Sequence, residues 1–461
     1  KYGVTGYLHW GFNAWHYNLD EQYVKGDGWI VKPDKPNLKL KLTIRYESLR
    51  DGIEDYELFK IAEQVNPGIT KGIADSLISS GTRYTRDTDY MMRLRENLLN
   101  AAAGTAVFSP DRAYNKNVTA SSQTTGYEAA KAVDNNPATS WKSSAGGTQW
   151  IQVDLGAQYK LDGIRLKWDV PYATNYKIQT SYDGSIWSDI VTATSGSGGD
   201  FFGVRNCKAR YIRIYCTSSS GSHYALKSIE VGGVQLEREN LAGGRPYQKP
   251  SPHSSYPDST GRESTDGIIA GCFEDGKSYA YMIPQGGVIG PEIVVDLGSV
   301  KTVGEVKIHG YEKYEWDYRV QSLLVLTSVD GVNYTRKGSL WYPNGEDGIW
   351  YNITFPATLA RYVKVIFYKI FIAVGFTHDW LFIDEIEVYA PPAAEMNNFA
   401  HGRPYVKPEN PHSSYPDSNN AESTDGIISG DHDDGYSYGY HVGSAGQQKT
   451  VSITVDLGSN K

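Results

Sequence analysis

Two stretches far apart in the chain alternate apolar and polar side chains with the period of two that a half-buried strand requires. They are Ala209-Arg210-Tyr211-Ile212-Arg213-Ile214 and Ala360-Arg361-Tyr362-Val363-Lys364-Val365. Each sits in the same surroundings. A Val-Asp-Leu-Gly run lies upstream (Val153–Gly156, Val295–Gly298), then Ser181-Tyr182-Asp183-Gly184 or Ser328-Val329-Asp330-Gly331. Asp-Gly between strand-like runs is a hairpin signal. Each closes on a further alternating run, Ser228-Ile229-Glu230-Val231 or Glu385-Ile386-Glu387-Val388. Short strands at regular spacing, parted by Gly, Asp and Asn, predict all-β sandwiches.

The first 104 residues carry a different period. Gly6–Trp10 and Thr43–Glu47 predict strands, and Ser48-Leu49-Arg50-Asp51 predicts a helix start of the capping-box kind. Leu49, Ile53, Tyr56, Phe59 and Ala62 continue that helix as an apolar stripe. A last helix is predicted over 88–103, with Met92, Leu94, Leu98, Leu99 and Ala102 apolar and Gly104 ending it. Two strands with several helices are a poor free-standing domain and suit the end of an α/β barrel.

Repetition sets the organisation. Gly244-Arg245-Pro246-Tyr247 recurs as Gly402–Tyr405, Pro252–Ser259 recurs residue for residue as Pro411–Ser418, and Glu263–Ile269 recurs as Glu422–Ile428. Val295–Ser299 recurs as Val455–Ser459, after which the chain stops. The expected division is 1–104 for the barrel end, 111–233 and 240–390 for two sandwiches, and 397–461 for a truncated third copy. The fold class is thus mainly β, preceded by an α/β segment.

Composition narrows the function classes. The net charge of −8, with no basic stripe, argues against nucleic acid. No apolar run reaches membrane-spanning length. Three cysteines, Cys207, Cys216 and Cys272, exclude a disulfide scaffold; Cys207 and Cys216 could pair, and unpaired core thiols are the leading reading. The 35 Tyr and 11 Trp supply both sheet cores and rings on which a sugar could stack.

Asn115–Ser122 followed by Ala132-Val133-Asp134-Asn135-Asn136-Pro137-Ala138-Thr139-Ser140-Trp141 resembles the opening of coagulation factor 5/8 type C (discoidin) domains, the group that includes carbohydrate-binding module family 32. The resemblance is close over 111–233 and looser over 240–390. It implies jelly-roll sandwiches that bind glycans through loops at one end. In the barrel-like part, Gly6–Asn13, Gly26-Asp27-Gly28 and Ile44–Glu57 resemble the end of the catalytic region of glycoside hydrolase family 123, also catalogued as domain of unknown function 4091. That resemblance implies a (β/α)8 barrel β-N-acetylgalactosaminidase, retaining and substrate-assisted, an exception to the two-carboxylate scheme. The family's acidic pair is expected upstream of the matching residues, so these residues alone are expected to be inactive. Glu54 and Asp55 are not that pair: adjacent helical side chains do not face each other.

Site residues follow from these resemblances. Trp10, Asn13 and Trp15 fall at the end of a barrel strand, where such barrels place their active sites. Sugar contacts are expected at Tyr127, Trp168, Tyr172, Asn175, His223 and Tyr224 in the first sandwich, and at Tyr314, Trp316, Trp341, His378 and Trp380 in the second. Trp141, Trp150 and Trp187 read as packing. Lys131–Thr139 resembles the discoidin calcium loop, which implies Ca2+ held by the side chains of Asp134 and Thr139 and the carbonyls of Lys131 and Asn136. The family's last ligand is a Glu, but Ser228 stands there, with Glu230 two residues on and read as facing the other way. The second sandwich offers Asp266 and Glu385, and Asp425 repeats Asp266. The Pro252–Ser259 block reads as a fixed loop.

The leading reading is the glycan-binding part of a secreted or cell-surface glycoside hydrolase, with polysaccharide or glycoconjugate as partner. A non-catalytic adhesion protein using discoidin domains is the alternative, and spacers without ligand are a third.

Overall fold

The structure is a computed structural model. It describes residues 31–34, 37, 39–42, 44–80, 83–84, 88–204, 207–270, 276–311, 320–341, 350–370, 378–392, 405–407 and 453–455. Trp10, Asn13, Trp15, Cys272, Tyr314, Trp316 and Asp425 lie outside these residues, as does the expected strand Gly6–Trp10.

Strands β1 (Val31–Asp34) and β2 (Lys39–Leu42) form a hairpin, followed by helices α1 (Ile44–Val65) and α2 (Ile69–Leu77). Short strands β3 (Ile78–Ser80) and β4 (Arg83–Tyr84) lead to α3 (Thr88–Ala102). The strand expected at Thr43–Glu47 is a correction, because its residues from Ile44 on are helical and Ser48 lies inside α1. Thr, Ile and Tyr favour strands only weakly. Here Arg50 reaches Glu47 at 2.6 Å and Glu54 at 3.6 Å, pairs that only a helix creates.

The stripe on α1 is also shorter than expected. Ile53 and Tyr56 are exposed, and packing begins with Leu58, Phe59 and Ala62. On α3 the buried residues are Tyr90, Leu94, Leu98 and Ala101, while Met92 and Leu99 face solvent. Gly104, with φ +70°, ends that helix in the left-handed conformation a glycine adopts at low cost. The Glu63 carboxylate accepts the Gly68 and Thr70 N–H groups (2.8 and 3.2 Å) and so covers the open end of α2.

The first sandwich comprises β5 (Asn117–Ala120), β6 (Trp141–Lys142), β7 (Gln149–Trp168), β8 (Ala173–Ser181), β9 (Ser188–Ala193), β10 (Gly199–Gly203), β11 (Lys208–Ser219) and β12 (Ala225–Gln235). Its strand order is β6-β12-β7-β11-β8-β9, with β5 and β10 also on β7.

The second comprises β13 (Tyr247–Gln248), β14 (Tyr279–Pro284), β15 (Val288–Ile289), β16 (Glu292–Tyr311), β17 (Ser322–Ser328), β18 (Thr335–Trp341), β19 (Trp350–Ile370) and β20 (His378–Tyr389). Its order, β14-β20-β16-β19-β17-β18, repeats the first. The registers agree as well: Tyr211 pairs with Asp154 and Ser181, and Tyr362 with Asp296 and Ser328. Beyond them β21 (Tyr405–Val406) pairs with β22 (Thr454–Val455).

Each sandwich has its own core. The first is built on Trp141, Ile164, Leu166, Ile212 and Ile214, the second on Val306, Ile308, Val363, Val365 and Phe367. Cys207 and Cys216 are free thiols buried in the first.

Contacts hold these units together. Arg93 on α3 pairs with the nearly buried Asp162 of β7 at 2.8 Å, Arg165 donates to Asn66 Oδ1 at 2.6 Å, and α2 lies against β10, where Gly203 leaves room for Ser76. Between the sandwiches, Lys208 N donates to Gly267 O at 2.8 Å and its Nζ meets the fully buried Glu387 at 2.5 Å. Asn240 N donates to Gln158 Oε1 at 2.8 Å. The buried Tyr182 ring fills a notch walled by Gly243 and Gly267, where a Cβ on either glycine would collide with it.

Candidate functional site

The motifs that recur between the sandwiches make framework. Asp154 accepts both arms of Arg210 (2.8 and 2.8 Å) and the Gly156 N–H (2.8 Å). Asp296 does the same with Arg361 (2.9 and 2.9 Å) and Gly298 (2.8 Å). Such a fork locks the turn inside a long bent strand to its neighbour. The Arg210 guanidinium holds the Asp154 carboxyl below its ordinary range. In both hairpins the Ser181 or Ser328 hydroxyl meets Asp183 or Asp330 and accepts the following glycine N–H.

At one end of the first sandwich, four loops meet. Ser143 N donates to Tyr224 O, Ser220 N to Tyr172 O and Ala225 N to Pro171 O. These bonds, together with Lys142 N donating to Tyr127 O, bring Tyr127, Tyr172 and His223 to the same end. Tyr127 is 38% exposed, with Lys142 Nζ 4.0 Å from its ring centroid. Tyr172 packs partly on the core, and His223 is half-buried. Asn175 lies on β8, its carbonyl accepting the Thr217 hydroxyl. Trp168 and Tyr224, expected as sugar contacts, are core residues: both are buried, and Tyr224 donates its hydroxyl to Gly147 O at 2.6 Å. A ring packed on both faces has none left for a ligand. Trp141, read as packing, is fully buried.

The loop that follows gathers oxygens. Thr139 Oγ1 lies 3.0 and 2.8 Å from the Asp134 carboxylate oxygens and 2.9 Å from Asn136 O. One hydroxyl proton cannot serve three acceptors, and a carboxylate, a hydroxyl and a carbonyl are the hard oxygens calcium takes. Lys131 sits on the turn before them, its ammonium directed to Gly126 O. Glu230 shares the face of Ser228, whose hydroxyl lies 3.2 Å from it, because two residues along a strand return to one face. It is committed to Lys167 (2.5 Å) and Arg165 (3.7 Å).

In the second sandwich, Glu385 accepts the Gly267 N–H at 3.2 Å and Asp266 accepts the Ile268 N–H at 2.9 Å. Burial, reinforced by neighbouring carboxylates, pushes both acids well above their ordinary range. Among the described residues no three His, Cys, Asp or Glu side chains converge as a metal-binding group. The residues therefore fit an ion only with backbone and hydroxyl oxygens completing the set.

The same sandwich builds an aromatic cluster. Trp380 is half-buried on β20. The rings of His253 (5.0 Å), Tyr256 (5.1 Å) and His378 (5.5 Å) stand nearly perpendicular to it. His253 and Tyr256 belong to the repeated Pro252–Ser259 block. That block is fixed along β14 by His253 N donating to Ala280 O and Ala280 N to Tyr256 O. Beneath the cluster the buried Lys369 donates to Trp380 O at 3.0 Å and pairs with Asp379 at 3.3 Å. Trp341 is 52% exposed but stands on the opposite edge strand, apart from Trp380 in the strand order. The sequence singles out His378 and Trp380 as candidates, and the structure adds His253 and Tyr256, whose rings stand against Trp380. The signal was present in a block of His, Tyr and Pro kept intact in both copies.

Two sandwiches of one strand order make this a modular chain. Residues 117–231 match the family described as F5/8 type C domain, and 275–365 match the NedA-like, galactose-binding domain. Residues 1–62 match the glycoside hydrolase 123 catalytic domain. The chain thus joins a glycoside hydrolase 123 segment to two F5/8 type C-like modules.

Similar solved structures include chitosan-binding modules 1 and 2 of a Paenibacillus sp. IK-5 chitosanase/glucanase, the second with chitotriose. They are 35% and 36% identical, cover 26% and 27% of this chain and 96% and 100% of their own, each with a TM-score of 0.26. The family 32 module of Clostridium perfringens NanJ, in complex with galactose, is 18% identical over 25% of this chain and 93% of its own, with a TM-score of 0.24. No curated protein matches.

Proposed function

We propose that the two sandwiches bind glycans and hold a glycoside hydrolase on its substrate. The observation that supports this most is the joining, in one chain, of a hydrolase 123 segment with two galactose-binding-like modules. A tethered enzyme meets its substrate at raised local concentration without any new catalytic contact. Trp380 with His253 and His378 supplies what a sugar needs, an apolar ring for its C–H face and imidazole nitrogens for its hydroxyls. In the first sandwich Tyr127, Tyr172 and His223 play the same part.

The intact hydrolase is read as a β-N-acetylgalactosaminidase, retaining and substrate-assisted, working outside the cell. Calcium, where bound, would supply positive charge that rigidifies the loops. Asp134, Asn136 and Thr139 would hold it in the first sandwich, and Asp266 with Glu385 in the second. Affinity electrophoresis of residues 1–461 through gels cast with galactose- or N-acetylgalactosamine-bearing polymers tests the reading. Retardation that free sugar relieves is expected, and unretarded migration on every such polymer would overturn it.

A further inference from the structure

The first sandwich grips the second through three residues. Gln158 binds the Asn240 backbone, Tyr182 fills the glycine notch, and Lys208 bonds Gly267 and Glu387. Strand register fixes their counterparts in the second sandwich. Tyr159 pairs with Ala209 and Lys301 with Ala360, so Gln158 answers to Val300 and Lys208 to Leu359. Ser181 and Ser328 occupy one register position, so Tyr182 answers to Val329. All three counterparts are aliphatic and exposed: Val300 by 50%, Val329 by 53% and Leu359 by 64%. Three aliphatic side chains exposed at one pole of a sandwich are out of place on a surface that meets only water.

The gripped side recurs in the sequence after the second sandwich. Asn240, Gly244 and Gly267 return as Asn398, Gly402 and Gly426. The spacing fits too: Val231 to Asn240 is nine residues along the chain and Val388 to Asn398 is ten. The pairing of Tyr405 with Val455 repeats that of Tyr247 with Val295, so the later copy starts its fold in the same register.

We infer that the patch formed by Val300, Val329 and Leu359 is the seat of the third copy, which docks there through the segments around Gly402 and Gly426. The copies then stack head to tail by one repeated geometry. The first contact is a mixed polar one anchored by Tyr182, and the second is a purely aliphatic one. In the sequence His401 takes the place of Gly243, and a side chain larger than glycine at that position would suit a valine partner better than a tyrosine.

Disulfide trapping in the 1–461 chain tests this, with Val329→Cys and His401→Cys combined. The control pairs His401→Cys with Val288→Cys, since Val288 is 51% exposed on β15. Under mild oxidation the first pair is expected to close within one chain at least about tenfold faster than the control, as a docked pair sees a far higher effective concentration. Equal rates, or bridges formed between chains because a second copy occupies the patch, would overturn the inference. Hydrogen exchange of the unsubstituted chain gives the independent reading. Peptides spanning Val300, Val329 and Leu359 are expected to be slowed relative to a Val329→Asp, Leu359→Asp double variant, and identical exchange in the two would count against docking.

Discussion

Asp154 and Asp111 respond to pH in opposite directions for reasons set by their neighbours. Arg210 depresses the Asp154 carboxyl, so its contribution is complete above the ordinary carboxylate pKa and fades as pH falls through the lower folded value. Asp154→Asn is therefore expected to cost about 1 kcal/mol at neutral pH, discounted because Arg210 is 40% exposed, and less at pH 3. Burial raises Asp111 to about 6, although it accepts the Val231 and Ala113 N–H groups. Its folded form holds a proton that the unfolded chain has lost, so stability rises as pH falls from above 6 towards 4. Asp111→Asn is expected to stabilise the protein at pH 8, on the order of 1–2 kcal/mol, and to make little difference at pH 4.5. Thermal melts across that range check both signs.

At the same scale, millimolar calcium against chelator is expected to raise the melting temperature by several degrees, about 2–3 kcal/mol at saturation, and Asp134→Ala to remove part of that rise. Identical melts with and without calcium would contradict the ion. That Asp134 and Thr139 come together was legible because an Asx-rich loop before a Trp is a strong pattern. Burial of Trp168 and Tyr224 was not, because a ring's type does not say which face of a sandwich it takes.

Elements show where local pattern is enough and where it fails. The strands, their Asp-Gly hairpins and the duplication of the sandwich follow from alternation and from repeated Val-Asp-Leu-Gly, all of which the sequence carries openly. The start of α1 does not, since Thr43–Tyr46 has strand-forming side chains and helical neighbours, and the surrounding structure decides. The docking of one sandwich on the next was also hidden. It rests on Tyr182 meeting glycines about sixty and eighty-five residues away, a matching that no local period announces. Tyr182→Ala should open this contact while leaving both cores intact. Calorimetry is expected to show the melting of the two sandwiches separate into two transitions, whereas a single unchanged transition would mean that they do not stabilise each other.

Among the described residues, side-chain contacts tie each unit to the next. Arg93 with Asp162 and Arg165 with Asn66 fasten the helical segment to the first sandwich, and Lys208 with Glu387 fastens the first sandwich to the second. Under the proposed function, a binding module fixed in this way would present glycan to the enzyme at a set distance instead of sampling a sphere around it. The central claim is that these modules bind sugar, and Trp380 is the residue on which it leans most. A glycan array probed with the 1–461 chain and with Trp380→Ala, each first shown by a thermal melt to be folded at the array temperature, tests this. Binding to galactose- or N-acetylhexosamine-terminated glycans is expected, weakened at least about tenfold in the variant by the loss of one stacked ring. Absence of binding to any glycan at millimolar ligand, by a chain shown to be folded, would contradict it.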